Sequence, residues 1–287
     1  MTMNRNTFHG FLVGAVLATF IIGCETTTGP EEIQVTYKHS RAVWSPDNST
    51  IAFIATINNT QGIYAVDTSG SNLRLVYAGD TGGPTWSSDS KWLAFSQFRN
   101  IWKVKANGDS IQQLTNSNGD VRPSWSRDGK TIAFVRTGIW LFEVAGDSER
   151  TLYGLGDFPS WHPNGVEVVM QTLSGSGTIA SFYAIHRDSG TARLFYTVSS
   201  SGVCSFSSIS PNGQELLFSL TPFTGATQIW RVDMTANTSQ QLSDDGGDFA
   251  SWSPNGSKIV FTRIAFEDGG LWIVNKDGTG KRRLTTP

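Results

Sequence analysis

The apolar positions of this chain fall in short runs, and the runs recur in a fixed order. Ile51-Ala52-Phe53, Leu93-Ala94-Phe95, Ile132-Ala133-Phe134, Val168-Val169-Met170, Leu216-Leu217-Phe218 and Ile259-Val260-Phe261 are apolar triplets bounded by polar turn residues. Each is followed by an apolar–aromatic pair: Ile63-Tyr64, Ile101-Trp102, Ile139-Trp140, Phe182-Tyr183, Ile229-Trp230 and Leu271-Trp272. A polar, Gly-rich turn such as Asp67-Thr68-Ser69-Gly70 then leads to a last short run such as Gln113-Leu114-Thr115 or Gln241-Leu242-Ser243. Runs this short between Gly, Asp, Asn and Ser predict β-strands rather than helices.

A further phrase precedes every triplet, best spelled Arg122-Pro123-Ser124-Trp125-Ser126-Arg127-Asp128-Gly129. Its anchor falls at positions 44, 86, 125, 161, 209 and 252, with Ile209 standing where the other copies have Trp. The steps between anchors are 42, 39, 36, 48 and 43 residues. A period of that size marks a repeat architecture. Four short antiparallel strands per repeat make one propeller blade, so six copies predict an all-β fold, a six-bladed β-propeller over residues 33–287. The anchor Trp has the width to fill the wedge between splayed blades, and truncating such a residue costs about 3–5 kcal/mol. In the Ser-Pro-Asp-Gly turn, Pro pre-sets φ while Gly or Asn accepts a positive one. One carboxylate per turn is too few oxygens for a calcium cage, so these Asp residues are assigned to the turn itself. Two segments compete to close the last blade, Ile33–Tyr37 and Arg282–Thr286, and the repeat pattern does not choose between them.

The Trp-Ser-Pro-Asp-Gly phrase, the Ile-Ala-Phe strand and the closing Gln-Leu-Thr resemble the propeller repeat of TolB and its WD-like relatives. That resemblance covers residues 33–287 and implies the propeller fold, a protein-binding role at the bacterial envelope, and a ligand face at one end of the central channel. TolB-type proteins carry an α/β domain ahead of the propeller. Here the preceding sequence reads instead as a membrane anchor.

Residues 1–23 read as a lipoprotein signal peptide. Arg5 precedes a 13-residue apolar run from Phe11 to Gly23, which is short against the roughly 20 residues of a membrane span. Ile21-Ile22-Gly23-Cys24 resembles a lipobox, making Cys24 the acylated amino terminus and a stable membrane attachment. Glu25, rather than Asp, follows the Cys and favours the outer membrane. Residues 25–32 hold nothing apolar and read as a tether of at most about 26 Å, so 24–32 links the anchor to the propeller.

Charge narrows the partners. Only Arg5 of the 22 basic residues lies in the leader, so 21 basic and 24 acidic residues remain for a net charge of −3. This argues against nucleic acid. Of the two Cys only Cys204 remains, so no internal disulfide is expected. No cofactor and no metal site are predicted, and the chain is expected to be a monomer.

Taking strands alternately down and up, the Asp-Gly turns fall at one end and the loops entering each first strand at the other. Three residues before each anchor the blades carry Arg41, Gly83, Arg122, Phe158, Phe206 and Phe249, with Asp157 and Asp248 beside two of the Phe. Arg99, Arg136 and Arg263, near the ends of second strands, belong to the same rim. An aromatic-plus-Arg collection has the composition of a protein-binding hot spot. The same pattern also fits packing of Phe between blades, with Asp closing backbone turns. The alternative function is a propeller lyase or hydrolase with a site in the channel. It would need a cluster of channel His residues or a hydrolase motif, and outside the leader only His39, His162 and His186 are present, without a nucleophile elbow or His-Glu-x-x-His.

Overall fold

A computed structural model describes residues 35–36, 41–174, 177–263 and 269–285, without the side chains of residues 35–36, 206 and 207. The leader, Cys24, the tether and His39 lie outside the described residues. Blade 1 holds β1 (Val35–Thr36), β2 (Val43–Trp44), β3 (Thr50–Ile57), β4 (Thr60–Asp67) and β5 (Arg74–Ala78). Blade 2 holds β6 (Thr85–Trp86), β7 (Trp92–Gln97), β8 (Asn100–Lys105) and β9 (Gln112–Gln113). Blade 3 is β10 (Val121–Trp125), β11 (Thr131–Val135), β12 (Ile139–Glu143) and β13 (Ser148–Tyr153). Blade 4 is β14 (Asp157–Trp161), β15 (Glu167–Ser174), β16 (Ile179–His186) and β17 (Ala192–Ser199). Blade 5 has β18 (Gly202–Ile209), β19 (Glu215–Pro222), β20 (Gln228–Asp233) and β21 (Thr238–Gln241). Blade 6 has β22 (Asp248–Trp252), β23 (Lys258–Arg263), β24 (Gly270–Asn275) and β25 (Arg282–Arg283). Apart from β1, the strands of each blade pair antiparallel in chain order, as the repeat predicts.

Closure is settled by register. β25 pairs with β24 at Trp272↔Arg283, so the segment at Arg282 completes blade 6. β1 instead pairs with β3 at Val35↔Ile57, on the edge of β3 that β2 also occupies. Every blade is therefore contiguous in sequence, and side chains close the ring. Trp44, Ile51 and Phe53 of blade 1 share a buried cluster with Val260, Leu271 and Leu284 of blade 6.

The triplets read as unbroken apolar runs because both faces of each second strand are buried. Side chains alternate across a strand, so Ile132 and Phe134 join Ala94 and Ile101 of blade 2, while Ala133 joins Trp161 and Val168 of blade 4. Ala52 and Ala94 likewise share clusters with the incoming Trp86 and Trp125. In these three blades an Ala of the triplet meets the next blade's indole, whereas Trp252 meets Leu217 and Trp44 meets Val260. Where the incoming residue is Ile209, the facing position is the larger Val169.

The five anchor Trp and Ile209 are all only 6–8% exposed. Three indoles also bridge to the preceding blade: Trp86 Nε1 donates to Val43 O (3.1 Å), Trp161 Nε1 to Ser124 O (3.0 Å) and Trp252 Nε1 to Ser208 O (3.2 Å). Trp125 Nε1 turns back to Gly129 O of its own turn (3.1 Å), and Trp44 Nε1 is buried with no acceptor among the described residues.

The turn phrase explains itself in hydrogen bonds. Ser126 Oγ donates to Asp128 Oδ1 (2.6 Å) and accepts from Thr131 N (2.9 Å), closing the first hairpin. Ser45/Asp47, Ser87/Asp89, Ser210/Asn212 and Ser253/Asn255 repeat this at 2.5–2.8 Å, each Ser accepting the matching amide at 2.9 Å. In blade 4 the ring of His162 replaces the hydroxyl and its Nδ1 accepts from Asn164 N (3.2 Å). The bond from Ser87 holds the Asp89 carboxyl below its ordinary range.

Candidate binding site at the channel mouth

First strands run from the mouth of the channel to the turn end, and in four of the six the mouth half is irregular. Register shifts interrupt β10 between Val121 and Ser124, β14 between Asp157 and Ser160, β22 between Asp248 and Ser251, and β18 between Ser205 and Ser207. Inside three of these bulges sit Arg122, Phe158 and Phe249 with φ of 56°, 51° and 56°. A bulge re-aims side chains, and a positive φ at a non-glycine residue costs on the order of 1–3 kcal/mol held by surrounding structure. These bulges place three of the predicted residues around one opening.

The opening is a cavity of about 540 Å³ at the channel mouth. Arg41 of blade 1, Arg122 and Pro123 of blade 3, Phe158 of blade 4, and Phe249 with Ala250 of blade 6 line it. Blade 2 contributes Gly82, Gly83 and Ser96. A Cβ on Gly83 would stand 3.1 Å from Arg41 Cβ, so the bare backbone of blade 2 leaves the space along which the Arg41 stem lies. Phe206 occupies the corresponding place in β18, and its side chain lies outside the described residues.

The charged members differ in their surroundings. Arg122 Nη1 donates to both oxygens of Asp157 (2.8 and 2.9 Å) and its guanidinium stacks 4.3 Å from the Phe158 ring centre. The pair is two-fifths exposed, where an ion pair is worth about 0–1 kcal/mol. Arg41 is half-buried, and its guanidinium has no hydrogen-bond or ion-pair partner among the described residues. Burial pushes its pKa down, yet a guanidinium stays protonated in any protein.

Two expectations are refined. Asp157 and Asp248 do not project freely beside the Phe rings, because each Oδ1 accepts the following backbone N–H, of Phe158 and Phe249, at 2.8 Å. Phe249 is only 7% exposed and is a packing residue as much as a cavity wall, whereas Phe158 is half-buried. The rim arginines separate as well. Arg136 is clamped by Asp120 (2.6 and 3.0 Å) and Glu149 (2.7 Å), and Arg263 pairs with Asp245 (2.9 Å). Arg99 is exposed at the β7–β8 hairpin tip.

Around the mouth stand exposed apolar residues that the repeat pattern does not single out. Phe98 is 75% exposed in the β7–β8 hairpin, Phe223 is 72% exposed in the β19–β20 loop, and Leu155 is 66% exposed in the loop entering blade 4. The available signal is an aromatic inside a turn, as in Gln97-Phe98-Arg99-Asn100 and Pro222-Phe223-Thr224-Gly225. Blades 2 and 5 face one another across a six-membered ring, so the two Phe flank the mouth. The remaining described histidines, His162 and His186, lie at the opposite, turn end. No group of three or more His, Cys, Asp or Glu among the described residues could hold a metal ion. No helix of the described residues is long and apolar enough to cross a membrane.

Comparison with known proteins bears on the fold. TolB from Acinetobacter baumannii superposes with a TM-score of 0.66 at 17% identity, over 84% of this chain and 62% of that one. The chain shares the propeller fold of that protein. An oligogalacturonate lyase in complex with manganese shares the fold at a TM-score of 0.59 and 12% identity, over 84% of this chain and 90% of that one. In sequence, the chain is 29% identical over 150 residues to the uncharacterized protein Atu1656 of Agrobacterium fabrum, covering 43% of this chain and 51% of that protein. The chain thus spans about half of that relative and under two thirds of the A. baumannii TolB. No family model matches the sequence.

Proposed function

We propose that this propeller is a binding module of the bacterial cell envelope, held to the membrane through lipidated Cys24 and engaging a protein partner at the channel mouth. The observation that carries this reading is the asymmetry of the two ends. The mouth gathers a cavity lined by residues outside the repeat, a half-buried Arg41 with no partner among the described residues, and the exposed Phe98 and Phe223. The turn-end cavity, by contrast, is ringed by the repeat's own Pro residues, and the turn phrases satisfy their own polar groups. Exposed aromatic and Arg anchors around a concavity are the usual substance of protein–protein hot spots. Binding is preferred to catalysis because the described cavity lining presents Arg, Phe, Val, Pro, Ala, Gly and Ser, and neither His nor carboxylate. The fold shared with TolB fits a periplasmic setting, and the lipobox fits the outer membrane.

Site-specific photo-crosslinking in cells tests the face. A photoreactive residue at position 98 or 223 is expected to give a discrete protein adduct, and one at Val166, exposed in a turn at the opposite end, none. Adducts from position 166 alone would reverse the assignment. In the same strains Cys24→Ser is expected to release the protein from the membrane, and retention would remove the anchor from the proposal.

A further inference from the structure

We infer that the mouth cavity selects a partner segment bearing a carboxylate beside an aromatic or aliphatic group, with Arg41 gripping the carboxylate. This rests on the mouth being the partner face and adds what that face recognises.

Three observations lead there. First, Arg41 differs from every other described arginine. Arg122, Arg136, Arg187, Arg193, Arg231 and Arg263 are ion-paired. Arg150, Arg282 and Arg283 donate to backbone carbonyls. Arg74, Arg99 and Arg127, whose guanidinium groups also lack a described partner, are exposed, Arg127 at the rim of a cavity at the turn end. Arg41 alone combines partial burial, a place in a cavity lining and no described partner. Removing a charge from water without compensation is unfavourable, so an arriving carboxylate is rewarded twice, by the charge pair and by the planar two-pronged geometry that Arg offers.

Second, the charge balance fits a monoanion. Arg122 is already neutralised by Asp157. Of the two charged side chains in the described lining, Arg41 alone is then left to be neutralised, and a phosphate dianion would set excess negative charge near Asp157 and Asp248. Third, the rest of the lining is apolar and held in place. Phe158 lies across the ring from Arg41, Phe249 and Ala250 beside it, and Pro123 next to Arg122. Bulges within paired strands fix the backbone at Phe158 and Phe249, and a lining carried on rigid strands lowers the ordering cost of binding. Gly82 and Gly83 leave the small Ser96 as the blade 2 side chain of the lining, opening the approach to Arg41. A group with a carboxylate at one end and a ring or branched chain at the other meets both halves of this lining.

Such a carboxylate could come from a chain terminus or from an acidic side chain, and small probes separate the two. The full purified chain is titrated with N-acetyl-phenylalanine, N-acetyl-aspartyl-phenylalaninamide, the neutral N-acetyl-phenylalaninamide, and glucuronate, using saturation-transfer NMR and calorimetry. At least one of the first two is expected to bind about tenfold tighter than the neutral amide, and which one does identifies the source. Arg41→Gln is expected to erase that difference while melting like the parent, and Arg122→Gln to change it less than threefold. The inference is overturned if no probe binds, if the amide binds equally, if Arg41→Gln keeps the preference, or if glucuronate binds as well as the aromatic acids. Should Arg41→Gln still crosslink to the partner from position 98 while showing no carboxylate preference, the mouth would remain the partner face and only this inference would fall. Loss of crosslinking at 98 and 223 in the parent itself would instead remove the face.

Discussion

The two ends of the propeller are built from the same strands and follow opposite rules. At the turn end, five blades repeat a Ser hydroxyl that donates to Asp or Asn and accepts the amide five residues on, at distances that agree within 0.3 Å. At the mouth end, equivalent positions hold Arg41, Gly83, Arg122, Phe158, Phe206 and Phe249, and four of six first strands carry a register shift. Even the cavities at the two ends differ. The turn-end cavity of about 440 Å³ is ringed by Pro46, Pro211 and Pro254 of the repeat itself, with Arg127 in the Pro place of blade 3. What repeats satisfies the needs of folding, because every blade must solve the same packing problem. What departs from the repeat is free of that duty and is where recognition can reside.

The contrast can be broken most strongly at the packing residues. Trp161→Ala removes an indole buried between blades and its bond to Ser124 O, and is expected to lower stability by about 3–5 kcal/mol in denaturant unfolding. A smaller loss is expected from Asp120→Asn, about 1.5–3 kcal/mol, since the buried carboxylate anchors Arg136. Burial works to raise the Asp120 pKa, but hydrogen bonds from Arg136, Ser117 and Thr115 outweigh it and hold the carboxyl below its ordinary value. With a depressed folded pKa, the stabilisation is complete above the unfolded value of about 3.9 and is lost as pH falls through the lower folded one. The parent should therefore lose stability in acid across that window, and Asp120→Asn should show a shallower acid slope.

Ser126→Ala at the turn end leaves the buried Thr131 amide without its acceptor, for about 1–3 kcal/mol. Ile209→Trp tests whether this anchor and the triplet residue it meets share one volume. With Val169 in the facing position the indole overfills the seam, costing about 1–3 kcal/mol, and Val169→Ala is expected to relieve it. A double-mutant cycle with no coupling would show that the two positions do not share the volume.

Most of the fold was legible because it is written six times. Trp or Ile at the anchor and the apolar triplet map onto one position of every blade, and the Ser-x-Asp/Asn turn onto five of the six, so a single divergent copy such as His162 does not hide the pattern. The closing strand was not legible, since both terminal segments have strand composition and only the β24–β25 register decides. The candidate site was legible as a set of positions but not as a shape. Nothing in Arg122, Phe158 or Phe249 announces a positive φ, which side chains other than Gly adopt only under outside constraint. Likewise Asp120, Glu149 and Asp245, which draw Arg136 and Arg263 out of the rim set, lie outside the repeated phrase, so their pairing could not be read from it.

The separation of folding from recognition is tested most directly by the Arg41→Gln/Phe158→Ala double variant, measured for melting temperature and for partner capture from solubilised envelope in one experiment. Neither side chain sits at an anchor or triplet position, so melting is expected within about 2 °C of the parent, while the partner captured by the parent is lost. A melt that falls as far as that of Trp161→Ala, or undiminished capture at parental stability, would contradict it.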